Sequence, residues 1–340
     1  MDGTTVWFII IAFLWTGYFF LEGFDFGVGA LLPVLGRDDT ERRVLLNAIG
    51  PVWDGNEVWF IVAGAGTFAA FPEWYASLFS GFYLPLLAVL LALIVRGVAF
   101  EYRGKREEPH WRRRWDRAIF WGSVVPAFMW GVVFANLTRG VRLDARHEYV
   151  GTLTDLLNPY ALLGGLTTLT LFVLHGAVFL SLKTAGDVRA RAVRVAKVAV
   201  AAAIVVGGLF LVITQLQHGK PVTWVTVAAA AAGLAGAAVA IVRGRDGWAF
   251  VGTGMAIVCA VVTMFTALFP DVMPSTIAAA NSLTTTNAAS SPYTLKIMTI
   301  AAVAFTPLVM LYQGWTYWVF RRRIDAAHLR QARRAPEPAK

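Results

Sequence analysis

The stretch TVWFIIIAFLWTGYFFLEGFDFGVGALLP, residues 5–33, decides the fold class of this chain. It contains no lysine or arginine, and its acidic residues, Glu22 and Asp25, stand in its second half. A helix of about 20 apolar residues is long enough to cross a bilayer. The stretch therefore predicts a transmembrane helix. Because residues 1–4 carry no basic side chain, we interpret it as a retained span and not as a cleaved signal peptide.

The rest of the chain repeats this pattern. Of its 340 residues, 57% are hydrophobic and 15% are charged, whereas soluble domains contain about 45–50% apolar and about 25% charged residues. This composition excludes an ordinary soluble domain. We predict an all-α polytopic membrane protein with one transmembrane domain, residues 1–320, and a flexible basic tail, residues 321–340. Nine transmembrane helices are predicted, at 5–33, 52–71, 75–99, 117–137, 159–181, 195–215, 222–242, 247–269 and 293–320.

The basic residues predict the orientation of these helices. Of the 30 lysines and arginines, 23 lie on one set of alternate connections and four on the other set. Cytoplasmic loops carry the excess of positive charge, so we place the N-terminus outside and the tail in the cytoplasm. The connections are too short to hold a folded nucleic-acid-binding domain, so the net charge of +9 is better explained by topology.

Cysteine and histidine usage limits the cofactors that this chain can hold. Cys259 is the single cysteine, which excludes a disulfide framework, a cysteine-rich zinc site and an iron–sulfur cluster. Of the five histidines, only His175 stands well inside an apolar segment, so a haem with two histidine ligands cannot be built here. We expect His175 to hydrogen-bond a neighbouring helix, although ligation together with a methionine is the alternative. The sequence therefore predicts no haem and no metal ligated by this chain.

Five acidic residues fall at a similar depth in three consecutive predicted helices. Glu22 and Asp25 lie in the cytoplasmic half of the first helix, and Asp54 and Glu57 share one face near the start of the second. Glu101 follows the third helix at the same side of the membrane. Ionisable groups inside a membrane are costly and often belong to proton relays. The pattern therefore indicates a proton path that opens toward the cytoplasm.

A static structural role is the alternative for these acids. Arg42, Arg43, Arg96 and Arg103 lie near the same membrane face and could neutralise them in fixed ion pairs. Asp54 stands where a residue could cap the second helix. The residues alone leave both interpretations open.

Several blocks of sequence occur together, in order, between residues 20 and 300. They are EGFDFGVG (22–29), GRDDTERR (36–43), WDGNEVW (53–59), SGFY (80–83), FEYR (100–103), FP (269–270), VMPS (272–275), NSLT (281–284) and ASS (289–291). On these blocks the chain resembles subunit II of the cytochrome bd-type quinol oxidases. The GRDDTERR and WDGN blocks are the most specific of the set.

The resemblance implies a heterodimeric respiratory oxidase of the bacterial cytoplasmic membrane. It implies that this subunit has two four-helix bundles and one peripheral helix, and that subunit I holds haems b558, b595 and d and oxidises quinol. Such a complex reduces O₂ to water and takes its protons from the cytoplasm without pumping. Some members also contain small single-helix accessory subunits, or a structural quinone in this subunit.

The resemblance further implies roles for single residues. Asp54, beside Trp53, matches an acid on the proton route toward the haems. Glu101 stands where some relatives have an aspartate, which keeps the carboxylate and lengthens its reach. The same route is expected to include the other intramembrane acids, Glu22, Asp25 and Glu57.

Trp59 resembles an aromatic residue at the mouth of the oxygen path, and a core aromatic or an interfacial anchor is the alternative. A proton-coupled secondary transporter is the competing function, because it too would have many helices and intramembrane acids. Transporters of that kind show inverted repeats and broken helices around a midplane site. Here the acids gather toward one face and no clear repeat is visible, so the oxidase subunit is favoured.

Overall fold

The computed structural model describes residues 2–327. Met1 and residues 328–340, which include His328 and most of the predicted tail, lie outside the described part. Short 3-10 turns occupy Arg103–Lys105 and Ala279–Asn281. The helices and strands are α1 Gly3–Leu35, α2 Asp39–Ile49, α3 Trp53–Ala70, α4 Pro72–Gly81, α5 Tyr83–Tyr102, α6 Pro109–Arg139, α7 Leu153–Leu156, α8 Pro159–Lys183, α9 Gly186–Gln217, α10 Thr223–Val242, α11 Asp246–Leu268, β1 Asp271–Met273, β2 Leu283–Thr284 and α12 Pro292–Val319.

Eight helices within residues 2–327 are long and apolar enough to cross a bilayer. They are α1, α5 with the turn after it, α6, α8, α9, α10, α11 and α12. The second predicted segment corresponds to α3, which is absent from this set because Asp54, Asn56 and Glu57 make its first turns polar. Its 18 residues nevertheless extend about 27 Å, close to the thickness of about 30 Å of a hydrocarbon core.

The third predicted segment, 75–99, is wrong as a single helix. The chain forms α4 up to Gly81, leaves helical geometry at Phe82 (φ −102°, ψ 23°) and begins α5 at Tyr83. Pro85 lies in the first turn of α5, where a backbone N–H has no partner within the helix, so the proline is tolerated there. The membrane-crossing candidate in this region is therefore Tyr83–Lys105.

One end of the molecule, the basic end, is held by ion pairs between connections. This end comprises residues 36–52, 103–116, 183–191, 243–246 and 320–324. Arg103 donates to Asp116 at 2.5 Å and to Asp39 at 3.0 Å. Arg191 of α9 donates to Glu41 at 2.6 Å and to the carbonyl of Leu35 at 3.0 Å, which satisfies the last turn of α1. The GRDDTERR block therefore serves mainly to connect α1, α2, α6 and α9.

The first residues of the predicted tail belong to this basic end. The backbone N–H of Ile324 donates to Lys183 at 2.8 Å, and Ala185 returns a bond to Ile324 at 3.1 Å. Arg323 pairs with Asp246 at 3.0 Å. The chain from residue 321 to 327 is thus attached to α8 and α11.

The opposite end, the loop end, consists of residues 71–82, 140–158, 218–222 and 269–291. Ser77 donates to the carbonyl of His147 at 2.7 Å, and Ser275 donates to that of Leu143 at 2.9 Å. The backbone N–H groups of Glu148 and Arg146 bond to Asp144 and hold the pKa of its carboxyl below its usual range. The two sets of alternate connections therefore lie at opposite ends of the helices.

The helices pack as two groups of four. The first group contains α1, α3, α5 and α6, and the second contains α8, α9, α10 and α11. The groups meet where α1 and α6 pack against α8. A Cβ atom built on Gly131 of α6 would lie 2.2 Å from the carbonyl oxygen of Gly164 in α8. Only glycine permits so close a backbone contact.

We expect Gly131→Ala to lower the temperature of thermal unfolding of the detergent-solubilised protein. The methyl group forces α6 away from α8, and overpacking of this kind costs about 1–3 kcal/mol. Gly208→Ala in α9 is the matched control, because a Cβ atom there meets nothing within 4 Å. Equal unfolding temperatures for both variants would contradict the close contact of α6 with α8.

The last helix, α12, lies at the periphery. Its main helix contacts are with α1 and α3, and Leu295 is its buried residue among those described. Trp7 of α1 donates to the carbonyl of Leu295 at 3.1 Å and to Thr299 at 3.0 Å. A second polar contact, nearer the basic end, connects α12 to Asp25 of α1 through the side chain of Asn56 in α3.

Candidate functional site

A buried ion pair lies between α1 and α5. Glu22 and Arg96 are both fully buried, and Arg96 Nη1 donates to Glu22 Oε1. The guanidinium carbon lies 4.8 Å from the ring centroid of Phe26 and 5.2 Å from that of Phe100. Cation–π attraction and the ion pair together offset the desolvation of the arginine. Of the ion pairs given as the structural alternative, the one between Glu22 and Arg96 is therefore present.

Asp25, one turn further along α1, is held by the side chain of Asn56. Asp25 is fully buried, and Asn56 Nδ2 donates to its Oδ2 atom at 2.7 Å. The Tyr317 hydroxyl donates to Asn56 Oδ1 at 2.7 Å, and Gln313 Nε2 donates to the same oxygen at 3.1 Å. The peripheral helix α12 thus takes part in the environment of Asp25 through Asn56.

Trp59 ends the same chain of hydrogen bonds. Its indole N–H donates to Gln313 Oε1 at 2.8 Å, and the residue is buried. Its ring lies 5.7 Å from that of Phe13 and covers Gly17, where a Cβ atom would lie 2.1 Å from the indole. Trp59 of α3 is therefore an aromatic residue packed between α1 and α12.

Glu57 lies between the buried acids and the protein surface. It is half-buried and interacts electrostatically with Arg96, with Glu22 and with Asp54. Arg96 also interacts with Asp25. One guanidinium is therefore bonded to Glu22 and interacts electrostatically with Asp25 and Glu57.

This cluster has unused hydrogen-bonding capacity. Glu22 Oε2, Asp25 Oδ1 and two nitrogens of Arg96 are buried and make no hydrogen bond within the described part of the chain. Buried polar atoms in proteins are almost always paired. These unpaired polar atoms make the cluster a polar region inside an otherwise apolar group of helices.

Asp54 and Glu101 lie on the outer surface of this chain, outside the buried cluster. Both are exposed, whereas Trp53 is half-buried with its ring 4.8 Å from that of Phe100. The cap position of α3 is Val52, without a side-chain hydrogen bond, so the alternative that Asp54 caps this helix is wrong. Asp54 stands in the first turn of α3 with its carboxylate free for other contacts.

The other arginines proposed as partners of the acids bond elsewhere. Arg42 donates to Asp116 at 2.8 Å, and Arg103 donates to Asp39 and to the same Asp116. Arg43 is exposed. The alternative of fixed ion pairs therefore holds for Arg96 and is wrong for Arg42 and Arg103.

His175 of α8 is fully buried against α1 and α11. Its Nδ1 atom lies 2.7 Å from Thr253 Oγ1, and its ring stacks on Phe250 at 4.6 Å. Phe20 and Phe24 pack on the same imidazole, at 5.4 and 5.8 Å. The expected hydrogen bond to a neighbouring helix is thus confirmed. His175 is thus a hydrogen-bonded and stacked residue between α1, α8 and α11.

Asn56, Gln313 and Tyr317 were missed by the sequence analysis. Asn56 belongs to the WDGNEVW block, and Gln313 is a polar residue within an apolar helix. An uncharged polar side chain inside a predicted span is itself a signal, because in lipid it needs a hydrogen-bonding partner. Because these three residues are uncharged, the distribution of charge along the sequence does not reveal them.

Comparisons with known proteins agree on one family. The family model described as cytochrome bd terminal oxidase subunit II matches residues 3–320. The chain is 43% identical over 326 residues to the cytochrome bd ubiquinol oxidase subunit 2 of Bacillus subtilis, covering 94% of this chain and 96% of that protein. It is 37% identical over 360 residues to the cytochrome bd-I ubiquinol oxidase subunit 2 of Escherichia coli K12, covering 94% of each.

A solved structure has the same fold. A chain of the bd oxidase from Geobacillus thermodenitrificans superposes with a TM-score of 0.76 at 16% sequence identity. The match covers 94% of this chain and 99% of that chain.

Proposed function

Because this chain belongs to the family of cytochrome bd terminal oxidase subunit II, we propose that it supplies the cytoplasmic proton-uptake path of a quinol-oxidising, O₂-reducing complex. The complex is an oxidoreductase of a bacterial membrane, and subunit I is the partner of this chain. We place haems b558, b595 and d in subunit I, where they reduce O₂ to water. This chain conducts protons from the cytoplasm toward them and ligates no haem.

The membrane placement that we propose has nine crossings, with α3 as the second. α3 extends from the basic end, where Val52 precedes it, to the loop end, where the carbonyl of Ala70 accepts a hydrogen bond from Ser290 at 2.9 Å. Its ends thus lie where the ends of its neighbours lie. The excess of lysine and arginine assigns the basic end to the cytoplasm and the N-terminus to the outside.

The decrease in exposure along the acids of α3 and α1 carries the proton-path proposal. Asp54 is exposed at the basic end, Glu57 one turn later is half-buried, and Glu22 and Asp25 are fully buried. Carboxyl groups at successive depths can receive a proton from the cytoplasm and pass it inward. The side chains of Glu22 and Asp25 are close enough to share a hydrogen bond, so a proton can be held between them.

Exposed Asp54 and Glu101 also indicate where subunit I binds. They share the outer surface of α3 and α5 with exposed apolar residues such as Ile61 and Ile94. A carboxylate facing lipid is costly, so such a surface is better covered by protein. We therefore place subunit I on the α3–α5 surface, where Asp54 and Glu101 face the partner.

Other features of the resemblance remain predictions. They are the oxygen-path role of Trp59, operation without proton pumping, small accessory subunits and a structural quinone. The transporter alternative is not favoured, because the family match covers residues 3–320 and names an oxidase subunit.

Purification of the chain with an affinity tag from its native membranes, in a mild detergent, tests this function. We expect a haem-bearing partner to co-purify and the visible spectrum to contain the band of the chlorin haem d. The isolated preparation should consume O₂ when a quinol is added. A preparation without haem, or one whose haem does not oxidise quinol, would overturn the proposed function.

A further inference from the structure

A cavity opens at the basic end between α1, α8, α11 and α12. Its volume is about 510 Å³, within the range of about 300–1,000 Å³ that is typical of ligand pockets. Most of its wall is apolar and aromatic, and it includes Phe20, Phe24, Phe179 and Phe250. None of the acids of the proposed proton path lines it, and Tyr317 of its wall reaches Asp25 only through Asn56.

Three basic side chains line the same cavity near its basic-end rim. They are Lys183 at the end of α8, and Arg321 and Arg323 after α12. No acidic side chain of the described residues lines it. Asp246 accepts from Arg323 at 3.0 Å and from Arg189 at 2.8 Å, so one carboxylate is shared between two cations. The rim is therefore positively charged.

The combination of an apolar wall and a cationic rim selects the class of ligand. We propose that the cavity binds one anionic phospholipid, with its acyl chains along the phenylalanines and its phosphate against Lys183 and Arg321. This inference rests on the orientation proposed above, which places the rim at the cytoplasmic leaflet, where anionic lipids attract basic residues. A quinone head group is neutral and gains little from three cations.

The site also explains how α12 is held at the periphery. Tyr317 and Phe320, from the last turns of α12, line the cavity opposite α8. The Lys183 ammonium donates to the carbonyl of Phe320, which joins the two walls at the rim. A lipid between α12 and α8 adds apolar contacts to a helix that otherwise buries only Leu295 among the described residues.

Native mass spectrometry of the intact, purified oxidase tests the site. The detergent-solubilised complex is titrated with phosphatidylglycerol and, separately, with phosphatidylcholine. We expect preferred binding of one phosphatidylglycerol and a roughly 30-fold weaker affinity in the Lys183→Gln/Arg321→Gln variant, since each basic residue near an anionic lipid contributes a roughly fivefold factor. Arg322→Gln is the matched control, because Arg322 is exposed and lies outside the cavity lining.

Two further variants keep the result decisive. Arg321→Gln alone should weaken binding roughly fivefold if the double variant fails to assemble. Leu21→Trp narrows the apolar part of the cavity and should weaken lipid binding without a change of charge. Equal binding of both lipids, an equal loss in Arg322→Gln, or a quinone recovered from the cavity in place of lipid would overturn the proposal. The chlorin band, followed throughout, reports separately on the proposed oxidase function.

Discussion

We expect Asp54→Asn to lower quinol-dependent O₂ consumption by a factor of about 10² or more and to leave the haem content of the complex unchanged. The amide is nearly the same size as the carboxyl group but cannot take up and release a proton, and proton transfer by a placed side chain contributes a factor of about 10²–10⁴. Asp54 is exposed and makes no cap hydrogen bond in this chain, so its replacement costs little stability. O₂ uptake with an electrode, beside the visible spectrum, measures both quantities.

Asp187→Asn is the matched control for this result. Asp187 is an exposed acid in the first turn of α9, at the same end of the molecule as Asp54. It is distant in sequence from the buried acids, and we expect turnover to remain at the level of the unmodified protein. Unchanged turnover in Asp54→Asn, or an equal decrease in both variants, would remove Asp54 from the proton route.

Periodicity and charge predict the helices of this protein well, because lipid imposes strong constraints on sequence. An apolar run such as 5–33 can be little else than a span, and α1 covers it. The break at Phe82 is less visible, because the residues on both sides of it are apolar. Its position depends on how α4 packs at the loop end, where Trp74 is buried, and this packing has no periodic signature.

The position of a residue along a predicted helix indicates its depth in the membrane, and only this part of the site can be predicted from the sequence. Glu22 and Asp25 were expected inside the helix group, and both are buried. Asp54 and Glu57 are both in the first turns of α3, yet Asp54 is exposed whereas Glu57 is half-buried and interacts with Arg96. Which side of α3 meets α1 is a matter of tertiary packing and cannot be deduced from spacing.

The partners of the acids come from helices far apart in sequence. Asn56 joins Asp25 to Gln313 and Tyr317, which lie 257 and 261 positions after Asn56 in the chain. Such a contact leaves no local pattern. Arg96 could be recognised as a partner for some acid, because a buried cation needs one, but the choice of Glu22 depends on the packing of α5 and α1 against α6.

We expect Arg96→Met to prevent assembly of the complex or to lower its thermal unfolding temperature greatly. The substitution places an apolar, unbranched side chain between Phe26 and Phe100 but leaves Glu22 buried without its cation. Removal of one partner of a buried ion pair costs about 3–5 kcal/mol, a large part of the total stability of a protein domain. The yield of haem-containing complex and its unfolding temperature in detergent measure the effect.

The double variant Arg96→Met/Glu22→Gln separates the lost pair from lost packing. The variant removes both charges of the Glu22–Arg96 pair, while Asp25 keeps its hydrogen bond from Asn56, and replacement of a buried ion pair by neutral residues is often close to neutral for stability. We therefore expect assembly to recover in the double variant while O₂ consumption stays low, because Glu22 no longer carries a proton. If the double variant is as unstable as Arg96→Met alone, Arg96 stabilises the protein through Asp25 and its cation–π contacts with the two phenylalanine rings and not through its pair with Glu22.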